Sequence, residues 1–167
     1  GVDVTQAIGL LPFDVSAPEV DFTVTTSLKW MCGTPGAGIL YVSPRLTPHL
    51  TPSLRGWFSQ DNPFNWDITR FAYAPDIRRF DNGTPGCMAA LASLPAMDWH
   101  AAQDHGAILA HNRRLTARLI AAADEMHLPL ITPRAEAKRG GSVMLRLPET
   151  LPPARRRPLR LSLMLGA

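Results

Sequence analysis

Cysteine is scarce in this chain, which has only Cys32 and Cys87 among its 167 residues. The two stand far apart and form no CxxC pair, so the sequence signals neither a zinc site nor a disulfide framework. No run approaches the roughly 18 consecutive apolar residues of a membrane helix, and no basic start followed by an apolar run marks a secretory signal. These absences favour a reduced, cytoplasmic protein without a membrane partner.

An excess of one charge is also missing. Seventeen lysines and arginines face 14 acidic residues, which leaves a formal charge of +3. The basic residues form no stripe interleaved with aromatic side chains, so nucleic-acid binding is poorly supported. The 46% hydrophobic content is that of a globular protein with a domain-sized core.

The first half of the chain has strand and turn signals. β-branched and aromatic residues at 20–28 predict a strand, and a glycine-rich turn at 33–38 leads to a second short strand at 39–42. Prolines and aromatic residues are frequent over 44–86, which predicts ordered irregular structure that forms a site. The chain opens at Gly1 on sequence typical of the middle of a fold, so we expect further sequence upstream.

The second half has helical signals. Alanine-rich sequence over 87–94 predicts a short helix that Pro95 ends. A long amphipathic helix is predicted over about 97–126, with one apolar face formed by Ile108, Leu115, Leu119 and Met126. Strands are predicted at 128–132 and 142–147. The spacing along the helix argues against a metal site formed by His100, His105 and His111.

Two residues near the first strands have the chemistry of a catalytic pair. Lys29 comes directly after a predicted strand and before the glycine-rich turn, where a rigid element can hold an amine for Schiff-base chemistry. Asp3 is a candidate for the carboxylate that such chemistry requires on a second element. The same Asp3, followed by Gln6, also has the form of a helix capping box, and the local sequence leaves both interpretations open.

The residues around this pair resemble the class V aminotransferase family of fold-type I enzymes, which use pyridoxal 5′-phosphate (PLP). The resemblance lies in an Asp followed three residues later by Gln, in the 26 positions that separate Asp3 from the lysine, and in the runs Asp14-Val15, Val20-Asp21-Phe22, Thr26-Ser27-Leu28-Lys29-Trp30 and Gly36-Ala-Gly38. It implies that Asp3 pairs with the pyridine nitrogen, Gln6 bonds the ring hydroxyl and Lys29 forms the Schiff base. Thr26 takes the place of a phosphate-binding Ser.

A second block is similar to kynureninases within this family. It consists of Leu54-Arg-Gly-Trp-Phe58 followed by Arg79-Phe-Asp-Asn-Gly-Thr-Pro85. The resemblance implies that Trp57 lines the substrate pocket and that Thr84 approaches cofactor or substrate across a dimer interface. A buried core tryptophan and an ordinary proline-containing turn are the alternatives.

Cysteine desulfurases are the main rivals within the family, and they carry a sulfur-accepting Cys on a late loop. Neither Cys32 nor Cys87 is late, so each is predicted to be a small packing residue. Relatives also bear an arginine for the substrate carboxylate on a late strand. Arg160 resembles it, although Leu28 and the sequence after 147 depart from the family pattern.

The resemblance implies an incomplete α/β protein of the PLP-dependent transferase fold. Residues 1–86 would be the C-terminal part of the PLP-binding large domain, 87–147 a small C-terminal α/β domain and 148–167 an aberrant or truncated tail. The implied function is kynureninase-like hydrolytic cleavage of a side-chain carbon–carbon bond in a small amino-acid substrate, within a homodimer. An aminotransferase, a carbon–sulfur lyase, an epimerase and a non-catalytic remnant remain alternatives.

Overall fold

The computed structural model describes residues 1–146 and the backbone of residues 159–161. They group into two compact units. Unit 1 comprises Gly1–Thr5 and Phe13–Trp99, and unit 2 comprises Gln6–Pro12 and the described residues from His100 onward. The predicted domain boundaries at 86 and 147 stay a prediction. Apart from the backbone of 159–161, the predicted tail at 148–167 lies outside the described residues.

Unit 1 is built on a three-stranded sheet. Its strands are β1 (Val2–Asp3), β2 (Phe22–Thr26) and β3 (Gly38–Val42), in the order β1-β2-β3. β1 is parallel to β2, and β2 is antiparallel to β3. The predicted strand pair is confirmed, with β2 shorter than the predicted 20–28.

The segment after β3 is ordered without strands, as predicted. It contains three 3-10 helices, Thr47–His49, Trp57–Ser59 and Ile77–Phe80. Arg79 ties distant parts of it together, because its Nε donates to the Ala74 carbonyl at 3.0 Å and its Nη1 to the carbonyls of Leu50, at 2.9 Å, and Thr47. The hydrogen bonds of this one guanidinium thus connect backbone segments that are not paired in a sheet.

Helix α1 (Cys87–Ala102) passes through Pro95, so the prediction that this proline ends the helix is wrong. A proline inside a helix removes one backbone hydrogen bond and costs about 3 kcal/mol or more. The first half of α1 has tertiary hydrogen bonds that local sequence does not reveal, from Thr34 to Ala89 and Ser93. These contacts help to offset the local penalty.

Helix α2 (His105–Glu125) begins after a break that the sequence pattern did not predict. Asp104 caps it, because its carboxylate accepts from the backbone N–H groups of Gly106 at 2.8 Å and Ala107 at 3.2 Å. An aspartate cap satisfies N–H groups that would otherwise lack partners, and it starts a new helix at that point. The single long helix predicted over 97–126 is therefore wrong.

The buried face of α2 is also displaced from the predicted one. Of the predicted face, Met126 is 61% exposed and Ile108, Leu115 and Leu119 are half-buried, whereas the buried positions are Asn112, Thr116, Ile120 and Ala123. Half of this face is polar. Thr116 Oγ1 donates to the Asn112 carbonyl at 2.9 Å, and Asn112 Nδ2 donates to the Gly141 carbonyl at 3.1 Å, while the buried Asn112 Oδ1 has no donor among the described residues. Hydrophobic periodicity could not identify a face that is buried through polar groups.

Unit 2 contains a small sheet of β4 (Val143–Leu145) and β5 (Leu159–Leu161), which are antiparallel. The segment predicted as a strand at 128–132 runs along the other side of β4. It forms an isolated bridge, Leu130 to Leu145, and Ile131 N donates to the Met144 carbonyl at 2.9 Å. Pro129 and Pro133 flank this contact, and because proline has no N–H to donate, pairing does not extend into a strand.

The break before α2 affects the histidines. His100 and His105, which one continuous helix would keep apart, have stacked rings with centroids 5.9 Å apart. Within residues 1–146, no three His, Cys, Asp or Glu side chains are grouped as metal ligands. In the part of the chain that the structure describes, no helix is long and apolar enough to cross a membrane.

Candidate active site

Asp3, Thr26 and Lys29 lie at one edge of the unit 1 sheet. β1 and β2 are parallel, Asp3 ends β1, Thr26 ends β2, and Lys29 follows in the next turn. The carboxyl ends of parallel strands meet at the same edge of a sheet. The register pairs Asp3 with Val24, and because residues two apart in a strand share a face, Asp3 and Thr26 share one too.

Asp3 is exposed and ionised. Its Oδ1 accepts a hydrogen bond from Thr5 N at 2.9 Å. This bond, with a smaller contribution from the Thr5 hydroxyl, lowers the pKa of Asp3 below the usual value of 3.8. Asp3 lies in a strand and no helix follows it before residue 47, so the capping-box alternative is wrong. Asp3 is thus a carboxylate that is available for a cationic partner.

Lys29 lies half-buried in a closed turn between β2 and β3. Cys32 N donates to the Lys29 carbonyl at 3.0 Å, and Gly33 N donates to the Ser27 carbonyl at 2.8 Å. Gly33 is required by this closure, since a Cβ there would stand 2.6 Å from the Ser27 Cβ. The backbone on both sides of the lysine is therefore fixed by hydrogen bonds within a few residues.

Three hydroxyl groups fasten this turn to helix α1. Thr34 N donates to Ser93 Oγ at 3.0 Å, Thr34 Oγ1 donates to the Ala89 carbonyl at 2.8 Å, and Ser27 Oγ lies 3.4 Å from Ser93 Oγ. Ser93 is 4% exposed. Sequence reasoning missed Thr34 and Ser93, because a serine inside an alanine-rich helix carries no local signal of a partner 59 residues away.

The turn uses the Thr26 hydroxyl, which was expected to bind phosphate, and the neighbouring Ser27 hydroxyl for its own hydrogen bonds. Thr26 Oγ1 donates to the Ala37 carbonyl at 3.2 Å. Ser27 is 3% exposed, and its Oγ lies 2.9 Å from the Thr34 carbonyl. The assignment of Thr26 to the phosphate stays a prediction, and such binding requires its hydroxyl to leave the Ala37 carbonyl.

Trp57 lies in an aromatic cluster of unit 1 rather than in a core. It is 40% exposed, so the core alternative is wrong. Its ring centroid is 5.6 Å from that of Trp66 and 6.2 Å from that of Phe64. These residues adjoin a cavity of about 340 Å³, the aromatic cavity, which is lined by Arg55, Trp57, Gln60, Asn65, Trp66, Asp67, Ile68, Arg70 and Phe71. The Arg55 guanidinium lies 4.4 Å from the Phe71 ring centroid.

The turn that carries Thr84 lies against the segment that carries Trp57. A Cβ at Gly56 would overlap the Asn82 carbonyl oxygen, so the two backbones touch where only glycine fits. Thr84 itself is exposed. The two kynureninase-like motifs, far apart in sequence, are thus adjacent within unit 1.

Gln6 and Arg160 lie in unit 2. Gln6 is exposed and lines a cavity together with Arg139, which is described below. Arg160 lies in β5, where its backbone pairs with Met144. Its side chain is outside the described residues, so the role predicted for it cannot be placed in the structure.

Both cysteines are exposed, so the prediction that they are packing residues is wrong. Cys32 adopts a positive φ of 55°, and its Sγ lies 3.6 Å from the Trp30 carbonyl. Local volume and polarity did not reveal this exposure.

Comparison with known sequences agrees with this geometry. The sequence model of the family described as Aminotransferase class-V matches residues 1–149. The chain belongs to the class V aminotransferase family. It is 32% identical over 151 residues to a kynureninase of Deinococcus radiodurans, covering 87% of this chain and 37% of that protein. It is 32% identical over 155 residues to a probable cysteine desulfurase of Streptomyces coelicolor, covering 90% of this chain and 35% of that protein. The chain thus spans little more than a third of these class V relatives.

Solved structures show the same fold. The apo structure of a cysteine desulfurase from Thermococcus onnurineus matches with a TM-score of 0.79 and 23% identity, over 88% of this chain and 36% of that one. A cystine C–S lyase in complex with cysteine persulfide matches with a TM-score of 0.70 and 24% identity, over 85% of this chain and 37% of that one. The predicted α/β fold of PLP-dependent transferases is confirmed.

The predicted cofactor is confirmed as that of the family, and the residues at the sheet edge fit it. PLP needs a carboxylate beside its pyridine nitrogen and an amine for covalent attachment. Asp3 is an exposed carboxylate held ionised by Thr5, and Lys29 is an amine on a fixed turn at the same edge. Within unit 1, these two residues would hold the cofactor.

Proposed function

We propose that this protein is a PLP-dependent enzyme that hydrolytically cleaves a side-chain carbon–carbon bond of an amino acid, as the name kynureninase indicates for its relatives. The observation that carries the reaction type is the aromatic cavity around Trp57. It lies in the same unit as Asp3 and Lys29. A volume of about 340 Å³ is within the range of small-molecule sites.

Asp3 and Lys29 have distinct roles in this proposal. Bound PLP supplies the electron sink that stabilises negative charge on the substrate. Asp3 keeps its negative charge at neutral pH and so favours a protonated pyridine nitrogen. Lys29 Nζ attaches the cofactor and then takes and returns protons beside the substrate. The hydrogen bonds around Ser27 and Gly33 fix the backbone that carries that amine.

The aromatic cavity suits an aromatic side chain. Trp57, Trp66 and Phe71 offer ring faces and edges, and ring pairs contribute about 0.5–1.5 kcal/mol beyond burial. The Arg55 guanidinium is already paired with the Phe71 face. The cavity therefore favours a substrate with an aromatic side chain over one with a charged side chain.

A second candidate is carbon–sulfur chemistry on cysteine, with an aminotransferase or epimerase as the remaining alternatives. The observation that favours it is the exposed Cys32 thiol, three residues after Lys29. A sulfur-accepting cysteine must be accessible, and this one is. Relatives with this chemistry match the chain at the same identity as the kynureninase does.

Turnover by the complete protein with PLP tests both candidates. We expect faster release of an anthranilate-like aromatic amine from L-kynurenine than of sulfide from L-cysteine. C32S should leave both rates unchanged, and C87S is its matched exposed-thiol control. Faster sulfide release that C32S abolishes and C87S spares would replace the proposal with the second candidate. A protein that binds no PLP would instead be a non-catalytic remnant.

We also propose that the protein acts as a cytoplasmic homodimer. Unit 1 exposes Leu54 by 72%, Phe64 by 64%, Trp66 by 75% and Ile68 by 99%. Clustered apolar side chains of this size favour a protein partner. Two exposed free thiols suit a reducing compartment. Sedimentation of the complete protein should give a dimer that I68D weakens, and a monomer would contradict this.

A further inference from the structure

Unit 2 contains a cavity that the proposed chemistry does not use, and we call it the Arg139 cavity. Its volume is about 320 Å³. Its walls are apolar at Ile131, Pro133 and Met144, and its polar lining comes from Gln6, Thr132, Arg139 and Ser142, with Gly140 and Gly141 completing it. A mostly apolar cavity of this size with a few polar groups is typical of a small-molecule site.

Arg139 is the unusual member of this lining. Its side chain is only 7% exposed, and its Nη2 lies 3.9 Å from a carboxylate oxygen of Glu136, too far for a strong hydrogen bond. Its buried Nε has no acceptor among the described residues. A buried guanidinium is costly unless an anion accepts its hydrogen bonds, and the Nε of this one lacks an acceptor among the described residues in a lining where the cavity has room for an anion.

The charges around the cavity leave a positive excess. Arg113, whose side chain is 14% exposed, lies 3.4 Å from Glu136, and so two arginines share this one exposed carboxylate. Lys138 is exposed nearby in sequence, and Arg134 is already paired with Asp124 at 2.6 Å. A single added negative charge would balance the pair of buried arginines.

Helix α2 holds the wall of the cavity in place. Arg113 donates to the carbonyls of Gly140 at 3.1 Å and Arg139 at 3.0 Å, and Asn112 donates to that of Gly141 at 3.1 Å. Three side-chain bonds from one helix fix three consecutive residues of the loop. The cavity is thus preformed, which reduces the entropy that a ligand must overcome.

We propose that the Arg139 cavity binds the carboxylate of a small organic acid, with the Arg139 guanidinium as the anchoring group. A carboxylate matches the planar fork of a guanidinium and supplies one negative charge. Thr132 Oγ1 accepts from Met144 N at 2.7 Å, which leaves its own proton to donate to the acid. The walls of Ile131, Pro133 and Met144 favour an organic body over inorganic phosphate.

Small organic acids with one carboxylate and an apolar body have this chemistry. The carboxylate site does not depend on the proposed function, because binding can be measured without turnover.

Calorimetric titration of the complete protein with benzoate tests the site. We expect saturable binding, with no binding of neutral benzamide or of inorganic phosphate. R139Q should weaken benzoate binding at least about tenfold, because hydrogen bonds to charged groups are the strong ones. R134Q, which changes an exposed arginine paired outside the cavity, is the matched control and should bind as the wild type does. Equal benzoate affinity in R139Q and wild type would overturn the proposal.

A second variant keeps the test decisive if R139Q fails to fold. S142D places a carboxylate in the cavity lining, so it should abolish benzoate binding while the melting temperature is maintained or raised. Unchanged benzoate binding in S142D would count against the site.

Discussion

Two loops carry the candidate residues of this protein, and helices fasten them in different ways. The Lys29 turn, residues 27–37 of unit 1, is attached to α1 through the neutral hydroxyls of Thr34 and Ser93. The Arg139 loop, residues 133–142 of unit 2, is attached to α2 through the amide of Asn112 and the guanidinium of Arg113. Both attachments consist of hydrogen bonds between a side chain and a backbone group of the loop or the helix.

The difference shows how anchoring chemistry affects the charge of a site. The hydroxyl groups that anchor the Lys29 turn carry no charge. The charged groups at that sheet edge are therefore Asp3 and Lys29, the two that would take part in the proposed reaction. Arg113 anchors the Arg139 loop through its guanidinium, and it thereby adds a second cation beside Arg139. The first loop therefore suits reaction chemistry and the second suits anion binding.

The largest expected effects come from substitutions of the charged residues Asp3 and Lys29 in unit 1. D3N should retain some PLP yet lose about 10²–10³-fold in kcat, the usual effect of removing one charge-stabilising group. A neutral amide cannot favour a protonated pyridine nitrogen. Steady-state kinetics with a parallel count of bound PLP distinguish this loss from a loss of cofactor. Full activity in D3N would remove Asp3 from the site.

K29A should lose covalent PLP attachment and about 10⁴-fold or more in kcat, because both proton transfer and attachment depend on its amine. Borohydride reduction followed by peptide mapping should place the pyridoxyl label of the wild type on Lys29. K138A removes the other lysine of the chain, which is exposed, and should keep label and activity. A label on Lys138 would contradict the assignment.

A pair of stability measurements sharpens the comparison of the loop anchors. S93A leaves the Thr34 N–H of the Lys29 turn without its acceptor and should cost about 1–3 kcal/mol of unfolding free energy. N112A also removes a bond to the Arg139 loop, but Asn112 Oδ1 is buried and has no donor among the described residues. Its loss should cost less, about 0.5–1.5 kcal/mol. Denaturant unfolding measures both, and a larger cost for N112A would reverse the ranking of the anchors.

Substitution of Trp57 has a moderate expected effect. W57L removes ring contacts worth about 0.5–1.5 kcal/mol, so KM for an aromatic substrate should rise about 2- to 12-fold. W57F should keep most of the affinity. An equal KM in all three proteins would mean that the aromatic cavity does not receive the substrate ring.

The smallest effect concerns an ion pair between Arg134 of the Arg139 loop and Asp124 of α2. The hydrogen bond from Arg134 lowers the pKa of Asp124 below its usual 3.8. A lowered folded-state pKa contributes stability above the unfolded value, and this contribution is lost as pH falls through the folded value. D124N should therefore melt slightly below wild type at pH 7, and the difference should shrink as the pH is lowered below 3.8. A difference that persists at low pH would assign the effect to something other than charge.

Much of the site was predictable because it depends on short sequence spacing. A strand of β-branched residues, a lysine at its end and a glycine-rich return form one local hairpin, and the 26 positions from Asp3 to Lys29 carried the family resemblance. Errors arose where distant groups decided the outcome. Pro95 lies inside a helix whose first half is tied to Thr34, and the polar residues Asn112 and Thr116 lie on the buried face of α2.

The sequence by itself determined the family, the β2-β3 hairpin and the candidate pair Asp3 and Lys29, because each depends on residues close together in the chain. Only the tertiary structure decided that Asp3 and Thr26 share a face, that Gly56 lies against Asn82 and that the buried Nε of Arg139 has no acceptor among the described residues. These features depend on register, close backbone approach and burial. All three arise when distant segments pack together, and no local pattern encodes them.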